Sequence, residues 1–467
     1  MDNHQLNFSN YLSPFSWRYG SKEMRYLFSE KNKFLLWRKL WLTLAKIQYQ
    51  ANLISKEELE DLEKNEKNLD IQKILVIENE VKHDVVAAIK EYGEKAKKAA
   101  GKIHLGATSM DITDNTDILR IKEGLNIIKT KLKETLSLLS KKIKTYASFP
   151  CLGYTHLQPA EPTTVGYRLA FYAQDFFNDL KLLSVIEKDF LRAKGFRGAV
   201  GTGATYKRLL AKKEFSKDWF DKMTEKFLGI KLFPIVSQVY PRKLDYLILI
   251  ALSSIGQSAA KFTADLRLLQ SPFFGEWQEP FSKNQVGSSA MPFKKNPIIA
   301  ENTCSLARYL VSLTHVAWEN AALSFLERTL DDSANRRLII PEAFLATDQI
   351  LINLKKIISQ MVFNEKRITD NLNRYAPFFL MEVVMVEAVK RGANRQKIHE
   401  ILRQLALFAW KKIEEGKDNP LVNLLIKNRE LNYYLKPKEI ASLLALKNYI
   451  GHSKFYVIKL LQKIKKI

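Results

Sequence analysis

Between Asp117 and Phe149, apolar side chains recur at Ile118, Ile121, Leu125, Ile128, Leu132, Leu136, Leu139 and Ile143, always three or four positions apart. That spacing keeps them on one side of an α-helix and predicts a long amphipathic helix in a bundle, ended by Pro150. A second long helix is expected after Pro162, through "RLAFYAQDFFNDLKLLSVIEKDFLRA". A third covers "RKLDYLILIALSSIGQSAAKFTADLRLLQ", whose Ala, Ser and Gly positions permit close helix approach, and a fourth follows Pro297. Nearer the start, "SEKNKFLLWRKLWLTLAKIQYQ" places Leu36, Leu40 and Leu44 on one face behind an N-cap at Ser29. "SKEELEDLEKN" has the capping-box pattern, Ser55 followed three residues later by Glu58. Strand signals are few, "FPIVSQVYP" being the clearest, and from about Val362 the helices are expected to be shorter. The expected fold class is therefore all-α, with an N-terminal helical domain (1–108), a central long-helix bundle (109–361) and a smaller helical domain (362–467). The central helices carry more apolar surface than one chain can cover, which predicts self-association.

Composition narrows the class. The chain has 467 residues, 46% hydrophobic and 27% charged, which suits a globular protein with a large core and not a disordered one. Net charge is +24, from 74 Lys and Arg against 50 Asp and Glu. The lysines are spread along helix surfaces (Lys129, Lys131, Lys133, then Lys141, Lys142, Lys144), and no basic arm, zinc knuckle or RNP-like segment is present. That distribution favours a Lys-rich composition with a pocket for an anion over nucleic-acid recognition. Cys151 and Cys304 make neither a disulfide framework nor a metal spacing, so two reduced thiols and no metal are expected. The opening "MDNHQLNFSNYLSPFSW" is polar and broken, and the longest uncharged run, Tyr246 to Ala260, is too short to span a bilayer and carries Ser253, Ser254, Gly256 and Gln257; a cytoplasmic protein without a membrane partner is expected.

Polar segments rich in Gly and Pro interrupt the helices, and there the chemistry is sought. "GSSAMPFKKNP" offers Ser288 and Ser289 hydroxyls with loop amides, and Lys294 with Asn296 as a charge and a hydrogen-bond fork suited to a carboxylate. Its residue types equally fit an ordinary surface turn. "GYTHLQPAEPTTVG" sets His156 between Thr155 and Gln158 in what reads as a non-periodic loop, open to acid/base work or to a structural role. "KHDV" places His83 beside Asp84. "IHLGATSMDITDNTD" places His104 ahead of Thr108 and Ser109, with Thr113 or Asp114 as the expected N-cap of the long helix; helix N-termini also bind anions. "SPFSWRYGSKEM" carries Arg18 and Tyr19. "ERTLDDSANRR" packs Arg328, Arg336 and Arg337 around Asp331, Asp332 and Ser333, either a salt-bridge cluster or an anion clamp oriented by its acids. The remaining histidines, His4, His315, His399 and His452, lie outside these segments and are read as structural.

Together these stretches resemble the fumarase/aspartase superfamily. "GSSAMPFKKNP" matches its long GSSxMPxKxNP loop almost completely. Within it, "HLGATSMDITDNTD", "THLQPAEPTTVG", "LERTLDDSANRR" and "SPFSWRYGSKEM" are similar to the adenylosuccinate lyase family; fumarases and argininosuccinate lyases have Asn-Asp after the serine where this chain has "TSMD". The resemblance runs from about Ser13 into the last domain.

The resemblance implies β-elimination of fumarate from adenylosuccinate, giving AMP, and from the succinylated ribotide SAICAR, giving AICAR, with no cofactor. It implies Ser288 as base and His156 as acid. Lys294 and Asn296 would hold a succinyl carboxylate, and Thr108, Ser109, Thr155 and Gln238 the rest of the succinyl portion. Arg18, Tyr19, Arg328, Ser333 and Arg337 would hold phosphate and ribose, His83 and Asp84 would line the pocket, and His104 would stand behind it. It further implies a homotetramer with a twenty-helix core and active sites shared among subunits. Two residues depart from the pattern: Lys82 where many relatives have Arg before His-Asp, and Asn302 where animal-type relatives have Arg. They bear on the preference between the two substrates, not on the reaction. A sister lyase acting on argininosuccinate, or a non-catalytic structural protein derived from a lyase, are the alternatives.

Overall fold

The computed structural model describes residues 8–211, 216–444 and 449–466; His4 lies outside them. Helices dominate. In chain order they are α1 Lys22–Leu27, α2 Glu30–Gln50, α3 Lys56–Asn65, α4 Ile71–Val81, α5 Asp84–Lys95, α6 Ser109–Thr145, α7 Val165–Val185, α8 Ala204–Leu209 and α9 Lys217–Leu228. They continue as α10 Lys243–Gln270, α11 Ile298–Ala322, α12 Asp332–Gln360, α13 Glu365–Lys390, α14 Arg395–Glu414, α15 Leu421–Lys427, α16 Arg429–Tyr434, α17 Pro437–Leu443 and α18 Ser453–Ile464. Two small antiparallel pairs are also present: β1 Pro150–Thr155 with β2 Gln158–Thr164, and β3 Trp277–Gln278 with β4 Val362–Phe363. The all-α expectation holds.

The chain divides into two compact units, each assembled from three stretches. One comprises residues 1–133, 178–259 and 303–352; the other comprises 134–177, 260–302 and 353–467. The predicted stripe of α6 is buried throughout, with Ile118, Ile121, Leu125, Ile128, Leu132, Leu136, Leu139 and Ile143 at 2% exposure or less. Both predicted caps form: Ser29 accepts from Asn32 N, and Ser55 and Glu58 close a reciprocal capping box. Helix α10 is long and apolar enough to cross a membrane by length and composition, yet 56% of that span is buried within the protein. It also carries the buried Asp245, paired with Arg336. Cys151 and Cys304 are both buried. Burial pushes the Cys151 thiol up to about 11, so it stays protonated and inert.

Four local expectations are corrected. Helix α6 begins at Ser109, so Thr113 and Asp114 are inside it and not its N-cap. "FPIVSQVYP" forms no strand; apart from a single bridge from Ala193 to Leu232 just ahead of it, the segment is bends. "GYTHLQPAEPTTVG" is a β-hairpin instead of a loop. The helices after Val362 are not all short: α13 has 26 residues and continues through Pro377.

Candidate active site

In the first unit a cavity of about 840 Å³ is lined from α2, the end of α4, the starts of α5, α6 and α12, and the segments carrying Gln238 and Arg328. His83, Asp84, Thr108, Ser109, Gln238, Arg328, Ser333 and Arg337 of the expected set all line it. Arg18 and Tyr19 are not among the lining residues; they sit on the turn ahead of α1, with Arg18 over the Trp17 ring at 5.6 Å and the Tyr19 ring 5.9 Å from Phe15. "ERTLDDSANRR" is only partly a loop, because Asp332 opens α12 and places Ser333, Arg336 and Arg337 on its first turns.

The first residues of α5, α6 and α12 all face this cavity. Each helix start exposes unpaired N–H groups and the positive end of its dipole, so three of them in one cavity favour an anion. The lining side chains add seven Lys or Arg against five Asp or Glu. Most are already matched. Arg242 pairs with Asp114 at 3.1 Å and with Asp332 at 2.7 Å. Arg336 donates to Asp245 at 2.8 Å, to Asp117 at 3.2 Å and to the Tyr240 hydroxyl at 2.7 Å. Burial raises the Asp114 carboxyl despite the adjacent Arg242. These acids hold the arginines and fix the start of α12 in a buried salt-bridge cluster. Arg328 and Lys82 line the cavity with no ion pair among the described residues, and burial lowers the Arg328 guanidinium below its usual range. They are the charges left for a ligand.

A smaller chain of contacts runs along one wall. Ser109 Oγ lies 3.5 Å from His83 Nε2, His83 Nδ1 lies 3.5 Å from Asp84, and Arg337 donates to Asp84 at 3.1 Å. His104 lies off the lining. Its Nδ1 accepts from Trp41 Nε1 at 3.0 Å, and burial lowers its pKa to about 4, so it is a neutral structural acceptor. Beneath the start of α6, the fully buried Asp111 accepts from Thr108 N, Arg197 N and Gly198 N, each at 3.1 Å, and pairs with the buried Lys194. Asp117, Arg120 and Arg242 also line the cavity. Sequence reasoning missed these three because each falls inside a helical pattern as one polar residue among many.

The other expected residues belong to the second unit. His156 and Leu157 form the two-residue tip of the β1–β2 hairpin, with Thr155 paired to Gln158. Both tip residues have positive φ, 54° and 60°, as a tight primed turn requires. The segment from Gly287 to Pro297 closes on itself: Asn296 Nδ2 donates to Gly287 O at 2.9 Å, and Lys294 is exposed. Ser288 Oγ accepts from Ala290 N at 3.3 Å and Met291 N at 3.1 Å. Two amides aimed at one hydroxyl oxygen would stabilise it as an alkoxide, which is what lets a serine act as a base.

Known proteins share both sequence and fold with this chain. Residues 22–311 match the family described as Lyase, and residues 377–459 match the family described as Adenylosuccinate lyase C-terminus. The chain is 39% identical to adenylosuccinate lyase of Schistosoma mansoni over 92% of this chain and 89% of that protein. It is 38% identical to that of Saccharomyces cerevisiae over 98% and 95%, and 33% identical to that of Archaeoglobus fulgidus over 97% and 99%. Its fold is shared with 3-carboxy-cis,cis-muconate lactonizing enzyme from Pseudomonas putida, at a TM-score of 0.86 and 22% identity over 97% of this chain and 99% of that one. A fumarate lyase from Mesorhizobium sp. BNC1 gives a TM-score of 0.83 and 20% identity over 97% and 99%. With a relative this similar along nearly the whole of both chains, and with the family's own C-terminal segment present, the chain belongs to the adenylosuccinate lyase family of carbon–nitrogen lyases.

Proposed function

We propose that the protein eliminates fumarate from adenylosuccinate to give AMP, and from SAICAR to give AICAR, and so serves purine synthesis in the cytoplasm. Family membership carries the reaction. The observation that carries the chemistry at a named atom is Ser288 Oγ, which accepts two loop amides.

In this reading Ser288, as alkoxide, takes a proton from the carbon next to a substrate carboxylate. The electron pair passes into that carboxylate, giving a dianionic aci-carboxylate, which Lys294 and Asn296 hold. The carbon–nitrogen bond then breaks, the carbon–carbon double bond of fumarate forms, and His156 delivers a proton to the departing nitrogen. Thr108, Ser109, Thr155 and Gln238 hold the succinyl portion. Arg328, Ser333 and Arg337 hold phosphate and ribose, helped by the three helix starts, and His83 with Asp84 completes the wall. Arg18 and Tyr19 keep their nucleotide role in a homotetramer whose sites are shared among subunits. Apolar side chains left exposed on the long helices support such an assembly, among them Phe171 (53%), Val311 (53%) and Trp318 (52%).

The test is turnover of adenylosuccinate, SAICAR and argininosuccinate by the purified protein, followed by ultraviolet absorbance, beside Ser288→Ala and His156→Ala. The first two substrates are expected to react and the third not, with kcat reduced by several orders of magnitude in each variant. No turnover of adenylosuccinate by the wild type refutes the function, and near-normal activity of Ser288→Ala refutes the base.

A further inference from the structure

Nothing among the described residues hydrogen-bonds the imidazole of His156, so its direction is set by the backbone that presents it. That backbone is strained: neither His156 nor Leu157 is glycine, yet φ is 54° at one and 60° at the other. Such conformations persist where the surroundings over-determine them. Here the constraint lies two residues back along β1. The Tyr154 hydroxyl donates to the Glu276 carboxylate at 3.1 Å. Glu276 is fully buried, and its carboxylate also accepts from Asn371 Nδ2 at 2.9 Å. The Arg168 guanidinium faces the other carboxylate oxygen at 3.5 Å and donates to the carbonyl of Leu152 on the same strand. Phe274 meets the Tyr154 ring edge-on at 5.0 Å. Between Leu152 and Tyr154 the strand register shifts, and a Cβ on Gly153 would lie 2.5 Å from Glu161 O, so the two strands are clamped there. An apolar contact of similar volume would secure the strand with less desolvation; a carboxylate with three donors adds direction.

We infer that Glu276, through Tyr154 and Arg168, is a positioning residue for elimination: it fixes β1 so that the hairpin tip presents His156 in one orientation. The inference rests on His156 being the acid. None of the three touches substrate in this account; they act through the hairpin, where a displacement on the order of 1 Å can cost up to about 100-fold in rate.

Glu276→Gln keeps the shape and removes the charge that Arg168 faces. It is expected to lower kcat for adenylosuccinate about 10- to 100-fold, with a smaller rise in KM through Thr155, which lies between Tyr154 and His156 on the same strand. Tyr154→Phe, which removes a single hydroxyl, is expected to lower kcat about tenfold. Each substitution is repeated in a His156→Ala background, where a residue acting through His156 should cost nothing further. Equal fold-losses in both backgrounds overturn the inference, as does a kcat within about twofold of wild type for either variant. If Glu276→Gln fails to fold by thermal melting, Tyr154→Phe carries the same comparison. Low activity in His156→Ala with no loss in Glu276→Gln overturns the inference alone; full activity in His156→Ala overturns the acid assignment and the inference with it.

Discussion

Asp111→Asn probes the support beneath the cavity. Asp111 and Lys194 both have fully buried side chains, and the Asp111 carboxylate collects three amides besides the ammonium. Lys194 has no other acidic partner among the described residues; its further contact is the Gly198 carbonyl at 3.5 Å. Asparagine keeps the shape but turns one acceptor into a donor. Whichever oxygen is replaced, two donors then face an NH₂ group: Thr108 N and Gly198 N on one side, or Lys194 and Arg197 N on the other. An uncompensated buried charge costs about 3–5 kcal/mol, and each orphaned buried donor about 1–3 kcal/mol. A loss of at least about 4 kcal/mol is therefore expected in urea unfolding at fixed protein concentration. The amide oxygen is expected to face the charged Lys194, which leaves Thr108 N against the NH₂ group, and with Ser109 next in the chain kcat/KM should fall as well. The double variant Asp111→Asn/Lys194→Met removes the orphaned ammonium and should be more stable than Asp111→Asn alone. A loss below about 1 kcal/mol for Asp111→Asn, or strict additivity in the double variant, would refute the reasoning.

Further outcomes follow from the same geometry. Gly287→Ala would put a Cβ 1.8 Å from Lys294 O, forcing the loop open and breaking the bond from Asn296 to Gly287 O; steady-state kinetics should show at least a tenfold loss of kcat with little change in melting temperature. His104 is neutral when folded, with a pKa lowered by burial to about 4 against 6.5 for the free side chain. Between those values the unfolded chain binds the extra proton, so this contribution is complete above pH 6.5, is lost as pH falls towards 4, and amounts to ~3 kcal/mol at most. His104→Gln, which can still accept from Trp41, should flatten the pH dependence of unfolding in that window. Arg336→Met leaves Asp245 and Asp117 without their shared cation and should cost about 3–5 kcal/mol in chemical denaturation, whereas Arg336→Lys, which keeps the charge but loses the fork, should cost less.

The long helices and their caps were legible because both depend on near neighbours in sequence. The stripe from Ile118 to Ile143 fixes the face that α6 buries, and the hydroxyls of Ser29 and Ser55 fix where α2 and α3 begin. The motif segments stood out because glycines, prolines, hydroxyls and cations cluster there and interrupt the apolar helical period. Where α6 starts was not legible. "TSMDITDN" looks polar enough for a loop, yet it is helix because Asp111, Asp114 and Asn115 meet partners from elsewhere in the chain: Lys194, Arg242 and Gly195. A pattern of polar positions cannot separate a side chain that goes to water from one that goes to a buried partner. Strands failed for a related reason. "FPIVSQVYP" has the composition of a strand but no partner, whereas "PCLGYT" and "QPAEPTT", with three prolines between them, pair across a two-residue turn. By itself the sequence determined the helices, their buried faces and the kinds of groups available for elimination. Only the tertiary structure decided that three helix starts share one cavity, that Arg242 and Arg336 are spoken for by acids while Arg328 and Lys82 are not, and that His156 rides on a hairpin anchored at Glu276. Each depends on residues far apart in the chain, and their pairing is a property of packing that no local pattern encodes.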